Sequence, residues 1–238
     1  MKQSRNIALI LAGGTGKRMN ATMPKQFMEI DGETVVLHTM RAFQQHPLIH
    51  EIYIVCMTQW HDFVRHEAKK GGIDKLRGII PAGESCVTSA LNGIQHLLDN
   101  NEEEPGTIVL IHDAVRPLIT QDIISRNIAV CLTHGNAITA LQSHEAYLMT
   151  DDGISSDRFM PRESLMRAQT PHTFPLATLR RMVQLIKERD IRDSQSIFTL
   201  AVELGLAPLY IAVGDIRNFK ITVHSDILVY RALKSLEE

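Results

Sequence analysis

The stretch LILAGGTGKRMNATMPKQF, residues 9–27, begins as an apolar run and then becomes rich in glycine and basic residues. A strand that leads directly into a glycine turn is typical of α/β domains in which backbone N–H groups bind phosphate. Two specific phosphate motifs fail here. A P-loop would need a glycine in place of Leu11 and a hydroxyl residue in place of Arg18, and a dinucleotide fingerprint would need a glycine at Met19. The stretch therefore predicts a glycine turn around a nucleoside triphosphate.

The rest of the chain alternates short apolar runs with amphipathic segments. The runs are nearly continuous, which favours strands covered on both faces, as in a parallel sheet. We therefore expect an α/β fold with a doubly wound, mostly parallel, Rossmann-like sheet and a ligand site at the carboxyl ends of the strands. Strands are predicted at residues 7–11, 51–56, 76–80, 107–111, 136–141 and 208–213. Helices are predicted at residues 33–45, 59–70, 85–100, 121–133 and 224–236, with Ser85 and Ser225 as N-caps.

Composition limits the classes of protein to which the chain can belong. Its 238 residues suit one domain over residues 1–238, and the formal net charge of −2 gives no reason to expect nucleic acid or an acidic membrane as a partner. Cys56, Cys86 and Cys131 lack CxxC spacing, which favours reduced thiols in a cytoplasmic protein. The apolar run near the N-terminus is too short for a signal peptide or a membrane span.

Residues 142–165 interrupt the alternation of strands and helices. The segment contains a DDG turn signal at residues 151–153 and hints of alternation with a period of two residues. We expect it to form a hairpin-like arm that protrudes from the main sheet.

Four motifs point to a known family. After the glycine-rich stretch come HDAVRP (112–117), QTPHTF (169–174) and RNFKIT (217–222). In this order and at these spacings they resemble the cytidylyltransferases that act on 2-C-methyl-D-erythritol 4-phosphate or on ribitol 5-phosphate, within the sugar-nucleotide pyrophosphorylase superfamily. The resemblance covers essentially the whole chain. It implies a nucleotidyltransferase that transfers CMP from CTP to a phosphorylated polyol and releases pyrophosphate, with Mg²⁺ or another divalent cation as cofactor.

The resemblance also assigns the nucleotide site. It implies that Arg18, Lys25 and Lys220 are catalytic and contact the phosphates of CTP, with Lys220 on the α-phosphate. The residues implied to contact the nucleotide are Ala12, Gly13, Gly14, Gly83, Ser89 and Ala114. Cytosine would be recognised at AGESCVTS (82–89), where Cys86 stands in place of the family's usual arginine. Without the resemblance, Ser89 would be interpreted as a helix-surface serine.

The acceptor site is implied in the same way by Asp113, Arg116, Arg162 and Thr170. Asp113 follows the strand at residues 107–111 and is expected beside the acceptor and the metal ion, directly or through water. By itself it would be interpreted as a turn or capping aspartate. Arg162 lies in the arm, which in this family reaches the acceptor phosphate of a neighbouring subunit. A homodimer with composite sites is therefore expected.

Some acceptor-facing motifs depart from the family pattern. Glu145-Ala146 stands where the arm usually has Asp-Thr before a basic residue, and Asp193 matches a family acid only in a shifted alignment. LAGG at residues 11–14 and Trp60 resemble the ribitol branch, so a ribitol-like acceptor is preferred over methylerythritol phosphate. The physical role expected for Trp60 is helix packing.

Two other functions remain open from the sequence. Cys86 leaves room for a nucleotidyltransferase of the same fold that uses UTP, dTTP or GTP, and the altered acceptor motifs leave room for a non-catalytic nucleotide-binding homologue. An NAD-dependent oxidoreductase is poorly supported because the strand at residues 51–56 does not end in a ribose-binding acid. The eleven histidines show no HExxH motif, so a histidine metal centre is not expected.

Overall fold

A seven-stranded sheet forms the centre of the protein in a computed structural model that describes residues 5–14, 23–100, 106–191 and 194–235. The strands are β1 (Asn6–Leu11), β2 (Glu29–Ile30), β3 (Glu33–Thr34), β4 (Glu51–Cys56), β5 (Leu76–Pro81), β6 (Ile108–Asp113), β7 (Ala137–Gln142), β8 (Tyr147–Met149), β9 (Arg158–Met160), β10 (Met166–Pro175) and β11 (Ile211–Val213). The main sheet has the order β11-β7-β10-β6-β1-β4-β5, and β10 is antiparallel to both of its neighbours. The other neighbouring pairs are parallel. The predicted mostly parallel sheet is confirmed.

Helices cover both faces of this sheet. They are α1 (Val35–Gln45), α2 (His61–Lys70), α3 (Cys86–Asn100), α4 (Gln121–His134), α5 (Leu176–Arg189), α6 (Ile197–Glu203) and α7 (Asp226–Lys234). In β1, Ala8 and Ile10 pack with α1, α2 and α4, while Ile7 and Leu9 pack with α3, α5 and α6. Burial on both faces explains why the strand sequences are continuously apolar. The doubly wound arrangement is therefore confirmed.

The longest strand of the sheet, β10, is missing from the sequence prediction. Its residues are mixed in polarity, and Gln169, Thr170, His172 and Thr173 are polar yet buried. A search for apolar runs misses such a strand because its polar groups bond to neighbouring elements instead of to water. The same search also missed α5 and α6.

The strand predicted at residues 208–213 is too long by three residues. The side chain of Asn136 bonds to this segment, with its Nδ2 donating to the Pro208 carbonyl (3.0 Å) and its Oδ1 accepting from the Tyr210 amide (2.9 Å). These bonds occupy backbone groups that a neighbouring strand would otherwise use, and β11 begins only at Ile211.

Several predicted helix starts are also wrong by one or two residues. The helix expected from residue 33 begins at Val35 because Glu33–Thr34 pairs as β3, and the helix expected from residue 59 begins at His61 after a 3₁₀ turn. Ser225 stands at the predicted N-cap position of α7, but its side chain makes no capping hydrogen bond. Asp226 Oδ2 accepts from the amides of Thr222 and Val223 in the turn before the helix.

The protruding arm is confirmed as a hairpin. Strands β8 and β9 pair antiparallel, with Leu148 opposite Phe159, and they form a small sheet separate from the main one. The side chains of Leu148 and Phe159 are about three-quarters exposed, at 74% and 70%. The arm therefore presents an apolar surface to its surroundings in the single chain.

Candidate functional site

The glycine turn lies at the carboxyl end of β1, next to the ends of β4, β5 and β6. The Ala12 amide donates to the Val55 carbonyl (2.7 Å), and the Ala114 amide donates to the Leu11 carbonyl (2.9 Å). Gly13 has no room for a side chain, since a Cβ there would lie 2.7 Å from the Ala82 Cβ and 3.0 Å from Ser89 Oγ. A bare backbone at this point leaves the turn able to approach a ligand closely.

Gly83 and Ser89 form one unit beside this turn. The Ser89 hydroxyl accepts a bond from the Gly83 amide (3.0 Å) and donates to the Gly83 carbonyl (3.3 Å), and Ser89 is buried. The alternative of a helix-surface serine is therefore wrong. Ser85 bonds reciprocally with Thr88 at the start of α3, which confirms the predicted cap. The loop that is expected to contact cytosine is thus shaped by hydroxyls of its own helix.

Lys25 lies in a buried 3₁₀ turn, Lys25–Phe27, that a small aromatic cluster anchors. Phe27 stacks on Trp60 with ring centroids 4.6 Å apart and meets the edge of Phe63 at 5.5 Å. The expected packing role of Trp60 is confirmed. Arg18, the other basic residue predicted for this loop, lies outside the described residues.

Gln26 closes the base of the glycine-rich loop. Its buried Nε2 donates to the carbonyls of Ala12 and Gly14, both at 2.7 Å. The two bonds join the start of the loop to the turn that carries Lys25. Sequence reasoning did not identify Gln26, although it stands in the quoted PKQF motif.

Replacing Gln26 with leucine is expected to raise KM for CTP by about tenfold, because two carbonyl groups at the loop base lose their donor and such losses cost about 1–3 kcal/mol. Steady-state kinetics with varied CTP would measure this. Gln121→Leu is the control, since Gln121 also donates to a backbone carbonyl, that of Ala42, but on an exposed helix start. An unchanged KM in the Gln26 variant would show that the loop does not depend on this side chain.

The charged centre of the site is Asp113, the last residue of β6. Lys220 Nζ and Arg116 Nε both lie 3.1 Å from Asp113 Oδ2. Arg116 also donates to the Asn218 carbonyl (2.8 Å), and Thr170 Oγ1 accepts from the Asp113 amide (3.1 Å). The structure therefore brings together four residues that the sequence predicted from three separate motifs, Asp113, Arg116, Thr170 and Lys220.

These neighbours determine the charge state of Asp113. Burial alone would raise the pKa of the carboxyl, but the charges of Lys220 and Arg116 outweigh burial and hold that pKa well below its usual range. Asp113 is therefore ionised at neutral pH. The amine of Lys220 is paired with Asp113. Because the side chain of Lys220 is about one-third exposed, the amine is also accessible to a ligand.

A chain of hydrogen bonds behind Asp113 ends at a buried histidine. Thr170 Oγ1 lies 3.0 Å from His112 Nδ1, and His112 Nε2 lies 3.3 Å from the Arg116 carbonyl. Since a carbonyl only accepts, His112 carries its proton on Nε2 and accepts from Thr170 on Nδ1. Burial lowers the pKa of His112 to about 3 and that of the nearby His172 to about 4. Both are neutral at physiological pH.

Acid is therefore expected to destabilise the protein before its carboxylates titrate. The two buried histidines have depressed pKa values in the folded chain. Their contribution to the free energy of unfolding is therefore complete above the ordinary histidine pKa of about 6.5 and is lost as the pH falls towards 4. We expect the free energy of unfolding to fall by about 2 kcal/mol per histidine between pH 7 and pH 5.

Urea unfolding at several pH values would measure this loss. His172→Gln is expected to weaken the pH dependence, whereas His224→Gln, at an exposed position, is expected to leave it unchanged. Equal stability of the unmodified chain at pH 7 and pH 5 would contradict the neutral, buried state of these rings.

The predicted site residues Ala114 and Arg162 bond to other parts of the structure than the Asp113 cluster. Ala114 is fully buried, and its carbonyl accepts from Thr39 Oγ1 (2.7 Å), so its predicted contact with the nucleotide stays a prediction. Arg162 lies exposed in a turn after β9, where its carbonyl accepts from Gln142. Asp193, the acid matched only by a shifted alignment, is outside the described residues.

Cys86 stands at the first turn of α3 near the charged centre. Cys86 is exposed as a residue, while partial burial of its thiol and the nearby charge of Asp113 raise the pKa of that thiol despite the opposing charge of Lys220. The residue at the unusual position therefore contributes a neutral thiol to the edge of this site.

Within the described ranges, no group of three or more His, Cys, Asp or Glu side chains is arranged to hold a metal ion. Nor does any helix in that part of the chain combine the length and apolar character needed to cross a bilayer. Any divalent cation at Asp113 would need further ligands from a substrate, as Mg²⁺ commonly takes from phosphates.

Comparison with known proteins identifies a family and several relatives. The sequence matches the family described as IspD, 2-C-methyl-D-erythritol 4-phosphate cytidylyltransferase, over residues 6–234. A ribitol-5-phosphate cytidylyltransferase from Lacticaseibacillus paracasei is 32% identical over 227 residues, covering 94% of this chain and 96% of that protein. A 2-C-methyl-D-erythritol 4-phosphate cytidylyltransferase from Geotalea uraniireducens is 31% identical over 234 residues, covering 98% of each chain.

Solved structures show the same fold. The 4-diphosphocytidyl-2C-methyl-D-erythritol synthase from Anaerococcus prevotii superposes with a TM-score of 0.81 at 22% identity, covering 98% of this chain and 96% of that one. The agreement extends over nearly the whole of both chains and shows that they share a fold.

Proposed function

This chain belongs to the IspD family of cytidylyltransferases, and from that premise we propose that it transfers CMP from CTP to ribitol 5-phosphate or a closely similar polyol phosphate at the Asp113–Lys220 centre. CTP-dependent cytidylyl transfer to a phosphorylated polyol follows from the named relatives. The ribitol-like acceptor is supported by the ribitol-5-phosphate cytidylyltransferases among them and by the LAGG stretch with Trp60.

The site is assigned from the arrangement of three charged side chains. A fully ionised carboxylate, an accessible lysine and a buried arginine lie together at the carboxyl end of β6, beside the glycine turn after β1. Open α/β sheets bind ligands at this edge. A glycine turn suits the phosphates of a nucleotide, and the adjacent cations suit the charge that builds during phosphoryl transfer.

The chemistry requires positioning and charge cancellation, with no nucleophilic side chain. An acceptor phosphate oxygen attacks the α-phosphorus of CTP, the bond to the bridging oxygen breaks, and pyrophosphate leaves with that electron pair. The acceptor phosphate is already a nucleophile, so no general base is needed. Lys220, Lys25 and Arg18 lower the cost of bringing two anions together.

We also propose that Mg²⁺ accompanies CTP. Lys220 and Arg116 both approach the same oxygen of Asp113, Oδ2. The other carboxylate oxygen could therefore bind such an ion, directly or through water, as its single carboxylate ligand. When bound, Mg²⁺ would neutralise triphosphate charge. Asp113 itself would orient the amine of Lys220 and the acceptor hydroxyls.

A homodimer is proposed for the arm. Leu148 and Phe159 expose apolar side chains, and Arg162 lies exposed in the turn that follows the same hairpin. Pairing of arms would cover the apolar surface and bring Arg162 to the partner's acceptor phosphate. Sedimentation at assay concentration should give a dimer, and a fully active monomer would contradict the proposal.

A cytoplasmic location for this single-domain protein is proposed from its thiols. Cys56 and Cys131 are buried and free, and burial raises the pKa of each to about 12, which keeps them unreactive. Free thiols of this kind suit a reducing compartment.

The acceptor is tested by pyrophosphate release. With CTP and Mg²⁺, we expect a higher kcat/KM with ribitol 5-phosphate than with 2-C-methyl-D-erythritol 4-phosphate. The reverse order would favour the second candidate, which the matched family description supports. Faster release with UTP, dTTP or GTP would contradict the cytidylyl assignment. Nucleotide binding without release with either acceptor would favour a non-catalytic homologue.

A further inference from the structure

We propose that Asn218 is a positioning residue that holds Lys220 in its reactive place. The proposal rests on the catalytic role assigned to Lys220 above. Asn218 stands two residues before Lys220 and is fully buried, and its Oδ1 has no hydrogen-bond partner among the described residues. Its effect on the reaction is proposed to come from its Nδ2 and its main-chain carbonyl, which place Lys220.

Asn218 ties the segment that carries Lys220 to two other parts of the site. Its side-chain Nδ2 donates to the Thr170 carbonyl on β10 (2.8 Å). Its main-chain carbonyl accepts from Arg116 (2.8 Å), which also binds Asp113. The Lys220 segment is thus fastened to the residues that surround the Asp113 carboxylate.

A second carboxamide, Gln169, extends this attachment. Its Nε2 donates to the Asp215 carbonyl (2.8 Å), its Oε1 accepts from the Asp215 amide (3.3 Å), and Asn218 Nδ2 lies 3.4 Å from the same Oε1. Glycine at position 214 leaves room for this carboxamide in its observed position, since a Cβ there would lie 2.3 Å from Gln169 Oε1. Two buried carboxamides therefore hold residues 214–218 against β10.

Lys220 is fixed on its other side by the main chain. The Ile221 amide donates to the Val115 carbonyl (2.9 Å), and Ile221 is buried. Lys220 therefore lies between the Asn218 attachment and this backbone bond. With both in place, its amine is 3.1 Å from Asp113 even though the side chain is partly exposed. A displacement of about 1 Å in a catalytic group can cost about 100-fold in rate.

A double-mutant cycle tests the proposal. Asn218→Leu keeps a similar volume but removes the donor, and it is expected to lower kcat by about 10- to 100-fold. In a Lys220→Ala background the same substitution should change kcat by less than about twofold, because the group that it positions is already absent. Gln169→Met is the second variant, with the same expected non-additivity, if Asn218→Leu does not fold.

Asn136 provides a matched control. It is also a buried asparagine whose carboxamide bridges two backbone groups, those of Pro208 and Tyr210, but it lies at the start of the β11 segment. Asn136→Leu should lower the melting temperature to a similar extent as Asn218→Leu while leaving kcat within about twofold.

A measurement independent of turnover is the rate at which Lys220 is reductively methylated, followed by peptide mass spectrometry. We expect several-fold faster labelling of Lys220 in Asn218→Leu than in the unmodified chain, with Asn136→Leu unchanged. Additive losses in the cycle, an equal kcat loss in the control, or unchanged labelling would overturn the positioning role. If Lys220→Ala itself kept full turnover, the function proposed for Lys220 would fail as well.

Discussion

Lys220→Ala is expected to lower kcat for cytidylyl transfer by about 100- to 1,000-fold, because removal of one charged group aimed at a developing negative charge has an effect of this size. KM for CTP should change much less. The amine of Lys220 lies beside Asp113. Its positive charge is expected to stabilise the transition state more than the bound substrates, because negative charge builds on the α-phosphate during transfer. Pyrophosphate release under saturating substrates measures the loss.

The same experiment has a natural control in Lys234. This lysine lies near Asp31 and the ring of Tyr230 on α7, where it forms an ordinary surface pair. Lys234→Ala should retain full activity. Lys220→Arg should recover part of the lost rate, since it restores the charge with a different geometry. Equal turnover of Lys220→Ala and the unmodified chain would remove Lys220 from the mechanism.

Asp113→Asn is expected to lower kcat by about 100-fold and the free energy of unfolding by about 3 kcal/mol, the cost of breaking a buried ion pair from one side. The substitution keeps the shape of the side chain but leaves the buried guanidinium of Arg116 without its carboxylate. Kinetics and urea unfolding of the same preparation would measure both effects.

The destabilisation caused by Asp113→Asn is expected to decrease as the pH falls. The pKa of Asp113 is depressed in the folded chain, so its stabilising contribution is complete above the ordinary aspartate pKa of about 4 and is lost as the pH falls. The difference in free energy of unfolding between Asp113→Asn and the unmodified chain should therefore become smaller from pH 5 to pH 2. Asp62→Asn removes an exposed partner of Arg65 and should cost less than about 1 kcal/mol. A similar cost for both variants would contradict the buried pairing.

The sequence predicted those parts of the fold that depend on burial from both faces. β1, β4 and β6 are continuously apolar because helices cover both sides of the sheet, and this pattern is visible without a structure. β10 escaped prediction because its buried polar groups bond across the sheet and to α4, as Thr173 does with Asn127. No local pattern distinguishes such a residue from an exposed one.

The candidate site was predictable where its residues stand in motifs that the family resemblance assigns to substrate binding. Lys220, Asp113 and Thr170 come from three motifs and meet in one cluster. Gln26, Gln169 and Asn218 were missed, although each stands within or beside those motifs, because their partners are backbone carbonyls distant in sequence. Which carbonyl lies within reach of a carboxamide is decided by the packing of the chain.

A crystal structure of the protein with CTP and Mg²⁺ would show directly where the triphosphate binds. We expect the triphosphate to lie over the turn at residues 12–14, the cytosine to lie against Gly83, and an α-phosphate oxygen to lie within hydrogen-bonding distance of Lys220 Nζ. A triphosphate bound elsewhere, with the Lys220 amine still on Asp113 and in contact with no phosphate, would contradict the account.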